Sequence, residues 1–108
     1  MMQNQKRSLG SEKTFQEIQP AVNWQVYIIL CSDGSLYTGI TTDIERRFHQ
    51  HATGGGAKYF RGRQPTEVVY LEDGHSRSSA ASRESAIKCL GRGDKLVLVS
   101  GQKQALRS

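Results

Sequence analysis

The stretch VYIILCSDGSLYTGI, residues 26–40, predicts a β-hairpin. Residues 26–31 are a run of β-branched and aromatic side chains of strand length, and residues 36–40 are a second, shorter run of the same kind. Ser32-Asp33-Gly34, between the two runs, has the residue types of a tight turn. The rest of the fold can be worked out from this hairpin.

The register of the hairpin decides whether Tyr27 and Tyr37 can share a site. A two-residue turn at Asp33-Gly34 would point the two phenols to opposite faces of the sheet, because side chains alternate along a strand. A three-residue loop with Gly34 in the left-handed conformation would instead pair Tyr27 with Gly39 and place both phenols on one face, within about 8 Å of each other. Only the second register permits a common site, with an open place at Gly39 opposite Tyr27.

A helix is predicted to follow the hairpin. Residues 42–45, Thr-Asp-Ile-Glu, match the S/T-x-x-E capping box, and the glycines at 54–56 end the helix after Ala52. Arg47 and His51 lie four residues apart at the edge of the packed face, where side chains can line a groove. The buried stripe itself is predicted from residues four apart: Ile44, Phe48 and Ala52.

The second half of the chain predicts a third strand and a second helix. The strand spans residues 66–71, a loop spans 74–79, and the helix spans 80–90. Glu84 falls on the inward row of this helix, which is an unusual place for a carboxylate. Residues 94–99 fit a short helix or an extended segment equally well. The predicted stripe of the second helix is Ala80, Ile87 and Leu90.

These elements predict an α/β (α+β) fold with a small three-stranded antiparallel sheet flanked by helices, in the order β-β-α-β-α. We expect one domain over residues 23–100. Residues 1–22 are expected to form a flexible N-terminal tail, with one helical turn starting at Ser11, and residues 101–108 a C-terminal tail.

The composition indicates a small cytoplasmic protein. The chain has 108 residues and 36% apolar content, which suffices for one modest core. There is no apolar run near the roughly 20 residues that span a bilayer, and no signal-peptide core, so no membrane association is expected. Cys31 and Cys89 are interpreted as two half-buried thiols in a reducing compartment. A monomer is the default expectation.

The charge pattern favours a polyanionic partner. The net charge is +5, and no Asp or Glu occurs between Arg46 and Thr66. Lys58, Arg61 and Arg63 fall in this basic stretch, and we predict that they contact a nucleic-acid backbone. The alternative is a solvated basic face that keeps a small protein soluble.

The chain resembles the GIY-YIG nuclease family, specifically its small stand-alone bacterial members. The first signature triplet corresponds to Gln25-Val26-Tyr27, with glutamine in place of the first glycine, and the second to Tyr37-Thr38-Gly39. The stretch YTGITTDIERRFHQH places the family arginine at Arg47 and its frequent histidine at His51. The stretch RESAIK carries the metal-binding glutamate and the commonly following lysine. The resemblance as a whole extends from Trp24 to Val99.

The resemblance implies a divalent metal, Mg²⁺ or Mn²⁺, and a set of site residues. One carboxylate suffices for Mg²⁺, since this ion keeps several waters and takes phosphate oxygens as further ligands. The implied metal ligand is Glu84, and the implied catalytic residues are Tyr27, Tyr37, Arg47, His51 and Glu84. The expected nucleic-acid contacts are Gly39, Lys58, Arg61, Arg63 and Lys88. Which tyrosine would act on the attacking water stays open.

Each of these residues also has an ordinary structural interpretation. Glu84 and Lys88 could form only a helix ion pair, and Arg47 could pair in the same way with Asp43. His51 could be a capping residue near the helix end. Tyr27 and Tyr37 could be half-buried strand aromatics.

The function that we expect is hydrolysis of phosphodiester bonds in DNA by a metal-dependent endonuclease of low sequence specificity. Branched or flexible DNA, nicked during repair, is the candidate substrate, and RNA is the alternative polymer. The alternative is a catalytically weak nucleic-acid-binding or partner-recruiting module with the same fold.

Overall fold

The computed structural model describes residues 23–107, so the predicted N-terminal tail and its helical turn lie outside the described residues. The elements, in chain order, are strands β1 (Trp24–Cys31) and β2 (Leu36–Thr41), helix α1 (Ile44–Ala52), a short 3-10 helix (Lys58–Phe60), strand β3 (Pro65–His75), and helices α2 (Arg77–Lys88) and α3 (Arg92–Arg107). The strands form one antiparallel sheet of order β2-β1-β3. The predicted fold class is confirmed, with α3 as an additional helix.

The hairpin has the register that permits a common site. Tyr27 pairs with Gly39, and Ile29 pairs with Tyr37. Gly34 has φ of 83°, in the left-handed region that favours glycine, and its N–H donates to the Cys31 carbonyl over 2.9 Å. The three-residue loop is therefore confirmed, and both phenols lie on the same face of the sheet.

The sheet buries both of its faces. Helices α2 and α3 cover one face, where the core consists of Val26, Ile28, Tyr70, Ala80, Ile87 and Val99. Helix α1 and the 3-10 helix cover the other, around Tyr27, Ile29, Cys31 and Phe60. Because the central strand β1 is covered on both sides, its sequence is a continuous apolar run and does not alternate.

Strand β3 is longer and more irregular than the sequence pattern predicts. A register shift opposite Ile28 and Ile29 leaves Val69 as an extra residue, so that Val69 and Tyr70 both pack toward α2 and α3. The strand continues to His75, and Ser76 then caps α2 in a capping box with Ser79. The loop predicted at 74–79 and the helix start predicted at Ala80 are therefore wrong, because the polar serines act as caps.

The predicted cap of α1 is wrong by one residue. Asp43, and not Thr42, is the N-cap, and its side chain accepts a hydrogen bond from the Arg46 N–H. The Ile44 N–H donates to Gln25 Oε1 over 3.0 Å, and Gln25 Nε2 donates to Asp73 over 2.8 Å. The Gln25 side chain, at the position of the first signature glycine, thus connects the start of α1 with β3 by hydrogen bonds from β1.

The segment with ambiguous periodicity is helical and belongs to α3, which continues to Arg107. Its Val99 is buried in the core, and the Gln102 amide bonds both the N–H and the carbonyl of Leu71 at the edge of β3. In this way α3 protects a strand edge that would otherwise be open. None of the helices in residues 23–107 is long and apolar enough to cross a membrane.

The two cysteines differ in environment. Cys31 is buried beneath α1, whereas Cys89 is the C-cap of α2 and is exposed. The prediction of two half-buried thiols is therefore wrong for both, because one belongs to the central strand and the other to a helix end.

Candidate active site

Three polar aromatic side chains meet between the hairpin and α1. The Tyr27 hydroxyl lies 3.0 Å from His51 Nε2, and both residues are 1% exposed. The Tyr37 ring is centred 6.2 Å from the Tyr27 ring and 5.4 Å from the imidazole. Tyr37 is half-buried, so it is the member of this group that solvent reaches.

Gly39 makes room for the Tyr27 phenol. A Cβ atom at Gly39 would lie 2.5 Å from the Tyr27 hydroxyl oxygen and 3.1 Å from Cε2 of Tyr37. The open place predicted opposite Tyr27 is therefore present, and the phenol fills it. Gly39 is itself buried, so its role is to leave space for the Tyr27 phenol. The predicted contact of Gly39 with nucleic acid does not fit this burial.

His51 is held as a neutral imidazole. Its Nδ1 accepts the Ala57 N–H over 3.4 Å, which leaves the hydrogen on Nε2 to be donated to Tyr27. Burial, and next the nearby Arg47 charge, lower the pKa of His51 from 6.5 to about 4. At neutral pH the imidazole therefore holds the Tyr27 oxygen by a hydrogen bond and carries no charge.

The packing around His51 explains why it lies deeper than the groove edge where helix periodicity places it. The Phe60 ring is centred 4.2 Å from the imidazole, and Gly56 lies so close to it that a side chain there would collide with Nδ1. His51, rather than the exposed Ala52, takes the inward place at the end of α1. The predicted stripe is therefore correct at Ile44 and Phe48 and wrong at Ala52.

The low pKa of His51 predicts acid sensitivity of the fold. Between pH 6.5 and about 4 the unfolded chain binds a proton that the folded chain does not. The contribution of the neutral His51 to the free energy of unfolding is therefore complete above pH 6.5. It is lost as the pH falls toward 4, by up to about 1.4 kcal/mol per pH unit. Urea unfolding of the wild type at pH 7, 6 and 5 measures this slope.

Two variants separate His51 from the other titrating groups. His51→Gln should flatten the pH dependence of the unfolding free energy between pH 7 and 5. His49→Gln, on the exposed side of the same helix, should leave it as in the wild type. An equal slope in the wild type and in His51→Gln would contradict the assignment of a neutral buried imidazole.

The environment of Tyr27 keeps its phenol protonated. Burial above all, and next the neighbouring Tyr37, raise the pKa of Tyr27 to about 12, while the Arg47 guanidinium lowers it and the Glu84 charge raises it. Arg47 and Glu84 therefore both lie within electrostatic range of the phenol. At neutral pH Tyr27 accepts a hydrogen bond from His51 and retains its own hydrogen for donation.

Arg47 is half-buried and has no carboxylate partner within residues 23–103. Its Nη1 donates to Gln50 Oε1 over 3.1 Å, which orients the guanidinium without neutralising it. Asp43, its possible partner on the helix, caps α1 and lies 3.9 Å from Arg46 instead. The ordinary interpretation of Arg47 as a helix ion pair with Asp43 is therefore not supported, and the guanidinium charge is available to an anion.

Glu84 and Lys88 form an ion pair on α2. Glu84 Oε2 lies 3.1 Å from Lys88 Nζ, and the side chains are 22% and 51% exposed. Glu84 Oε1 has no hydrogen-bond partner within the part of the chain that the structure describes. The pairing predicted by helix spacing is present, and it leaves one carboxylate oxygen open.

The donor set suits a hydrated magnesium ion better than a metal enclosed by protein ligands. No group of three or more His, Cys, Asp or Glu side chains that could hold a metal occurs among the described residues. A single carboxylate oxygen on Glu84 fits Mg²⁺, which commonly binds through one or two carboxylates, waters and substrate phosphates.

The three cations of residues 58–63 differ in what they contact. Arg63 Nε donates to Asp33 over 2.8 Å, and its guanidinium stacks 4.1 Å from the centre of the Tyr59 ring. Arg63 therefore links the hairpin turn to the 3-10 helix. Lys58 and Arg61 are exposed. Of the three, Lys58 and Arg61 therefore stay available for the predicted contact with a nucleic-acid backbone, while Arg63 has a structural role.

Sequence reasoning missed several residues that shape the site. Gln50 orients Arg47, and Gly56 and Ala57 hold His51 from the loop. The run of glycines at 54–56 predicts only a helix stop, although a glycine can also mark close packing against a side chain. Nothing in the spacing of Gln50 or Ala57 distinguishes them from ordinary surface residues.

Comparisons with known proteins agree on one family. The model of the GIY-YIG catalytic domain matches residues 23–95. A UPF0213 protein of Natronomonas pharaonis is 48% identical over 82 residues, which cover 76% of this chain and 96% of that protein. A UPF0213 protein of Oceanobacillus iheyensis is 49% identical over 79 residues, covering 73% and 92%.

The fold has a counterpart among solved structures. The solution NMR structure of a protein from E. faecalis superposes with a TM-score of 0.50 at 38% identity, over 78% of this chain and 86% of that one. The family match extends from the start of β1 into α3, and so includes every residue that we place in the site. The chain belongs to the GIY-YIG catalytic domain family, and its relatives are small UPF0213 proteins of bacteria and archaea.

Proposed function

We propose that the protein is a metal-dependent endonuclease that hydrolyses phosphodiester bonds in DNA with low sequence specificity. The observation that carries this proposal is the half-buried Arg47, without a carboxylate partner in the described residues and within electrostatic range of a phenol held by His51. A charged guanidinium near an oriented phenol suits a phosphate diester better than a neutral ligand.

Arg47 would stabilise the charge that builds on the phosphate oxygens in the transition state. Its guanidinium is always protonated and can donate two parallel hydrogen bonds to a phosphate. The bond to Gln50 holds it in place before substrate arrives, which reduces the reorganisation needed during the reaction.

The two tyrosines would have different roles. Tyr27 is a buried, neutral phenol whose oxygen is already held by His51, so it would not contact the substrate itself and would instead position the Tyr37 ring beside it. Tyr37 is partly exposed, and its hydroxyl makes no hydrogen bond within the described residues. We assign to Tyr37 the orientation of the attacking water and, after its own phenolic proton has passed to solvent, the acceptance of the water's proton.

A magnesium ion on Glu84 would supply Lewis-acid stabilisation of the phosphate and lower the pKa of a coordinated water. Lys88 would orient the Glu84 carboxylate, since their ion pair leaves Oε1 open. The remaining ligands would be waters and phosphate oxygens.

The test is nicking of supercoiled plasmid by the purified protein with Mg²⁺. We expect conversion to the open circle in the presence of the metal, and none when EDTA removes it. Glu84→Gln should lower the rate toward that of the metal-free reaction, because an amide oxygen replaces the carboxylate. Glu67→Gln, which removes an exposed carboxylate near the start of β3, is the matched control and should nick like the wild type.

The alternative function predicts a different outcome in the same assay. A catalytically weak binding module would bind DNA with the salt dependence of phosphate neutralisation but would not nick it. Equal nicking by the wild type and by Glu84→Gln would indicate a contaminating nuclease and would refute the proposed activity. Nicking compared on linear, branched and single-stranded DNA would test the preference for flexible DNA and its link to repair.

A further inference from the structure

A small pocket lies beside the candidate active site. The loop after α1 and the following 3-10 helix enclose a pocket of about 150 Å³. Pockets for drug-sized ligands measure roughly 300–1,000 Å³, so this one suits a small group or ion. It is lined by Gly54, Gly56, Ala57, Lys58, Phe60 and Arg61.

The lining has the chemistry of an anion site. The two glycines present only backbone to the pocket, and Lys58 and Arg61 bring two positive charges. Neither cation has a carboxylate partner within residues 23–103, whereas the neighbouring Arg63 is paired with Asp33. The absence of acidic residues between Arg46 and Thr66 leaves this positive potential uncompensated locally.

We infer that this pocket binds a phosphate group of a nucleic-acid backbone, as a subsite separate from the phosphate that Arg47 would hold. The nucleic-acid identity of the ligand rests on the proposed function, while the anion chemistry rests on the pocket itself. Two cations recognise a phosphate by its charge without reading a base, which agrees with low sequence specificity.

The subsite is physically connected to the active-site phenol. Its wall contains Ala57, whose N–H donates to His51 Nδ1, and Gly56, which packs directly against the same imidazole. His51 in turn holds the Tyr27 hydroxyl at 3.0 Å. A phosphate in the pocket would contact the same loop residues that hold the imidazole, so that binding a second backbone phosphate is coupled to the position of His51.

The test is an NMR titration of the ¹⁵N-labelled protein with inorganic phosphate, in the absence of any metal. We expect saturable shifts of the Gly54, Gly56 and Ala57 amides, together with the imidazole nitrogens of His51. The variant Lys58→Gln with Arg61→Gln should lose these shifts. Non-saturable shifts, or shifts unchanged in this variant, would overturn the subsite.

A matched control separates the pocket from the general positive charge. A double variant, Arg77→Gln with Lys103→Gln, removes one exposed cation from α2 and one from α3. It should keep the shifts of the loop amides. Retention of the other amide resonances in the Lys58 and Arg61 variant shows that it is folded. Equal loss of the loop shifts in both double variants would refute a specific pocket.

A short oligothymidylate identifies the source of the phosphate. It should shift the same loop amides at lower concentration than inorganic phosphate, because further backbone phosphates reach Arg47, and its affinity in the Lys58 and Arg61 variant should depend less steeply on salt. A response to inorganic phosphate without a response to the oligonucleotide would overturn the nucleic-acid assignment.

These binding experiments do not depend on catalysis. Saturable phosphate binding by a protein that does not nick plasmid would refute the proposed endonuclease and leave the subsite standing. Nicking by a protein whose loop amides shift with neither phosphate nor oligonucleotide would refute the subsite and leave the proposed endonuclease standing.

Discussion

Arg47→Ala should lower the rate of Mg²⁺-dependent plasmid nicking by about 10²–10³, which is the usual cost of removing one preorganised donor from a developing oxyanion. The effect should be large because the guanidinium is half-buried, oriented by Gln50 and without a carboxylate partner in the described residues. Its charge is therefore not already used elsewhere. Single-turnover rates at saturating DNA would show the loss in the chemical step.

Arg46→Ala is the matched control for this prediction. Arg46 is the adjacent arginine on α1, but it is exposed and lies 3.9 Å from Asp43. Removing it should change DNA affinity slightly and leave the single-turnover rate close to that of the wild type. Equal losses for both arginines would show that Arg47 acts only through general positive charge.

Gly39→Ala should disrupt the fold and the site together. The added methyl group would lie 2.5 Å from the Tyr27 hydroxyl oxygen, in a sheet that is buried on both faces. Overpacking of this kind typically costs about 1–3 kcal/mol. Because the phenol must move, its hydrogen bond to His51 should be lost, and nicking should fall even under conditions where the variant is folded.

The second control comes from another glycine. A Cβ atom at Gly101, in α3, meets no atom within 4 Å, so Gly101→Ala should keep activity and raise helix stability by roughly 0.5–1 kcal/mol. Urea unfolding measures both variants. A Gly39→Ala protein as stable and as active as the wild type would contradict the packing of Tyr27 against Gly39.

Local sequence chemistry was sufficient to predict most of the fold. The turn residues at 32–34 and the β-branched run before them determine the hairpin, and periodicity with a glycine stop determines the extent of α1. The resemblance to the GIY-YIG family, carried by Tyr27, Tyr37 and the residues that follow, is confirmed by the family match. The roles of these residues remain predictions.

Helix ends and strand irregularities were predicted less well, because several polar residues compete for the same backbone groups. Asp43 caps α1 although Thr42 satisfies the capping pattern, and Ser76 caps α2 although the apolar stripe begins only at Ala80. The bulge at Val69 follows from packing against α2 and α3, which no local pattern contains.

By itself the sequence determined the order β-β-α-β-α and the positive charge around the site, and it left two hairpin registers, of which the structure has the one that places Tyr27 and Tyr37 on a common face. Tertiary structure alone decided that His51 is a buried neutral donor, that Arg63 is paired with Asp33, and that Lys58 and Arg61 have no carboxylate partner within residues 23–103. The reason is physical: residue type and spacing set what a side chain can do, whereas burial and partners distant in sequence set which of those possibilities it takes.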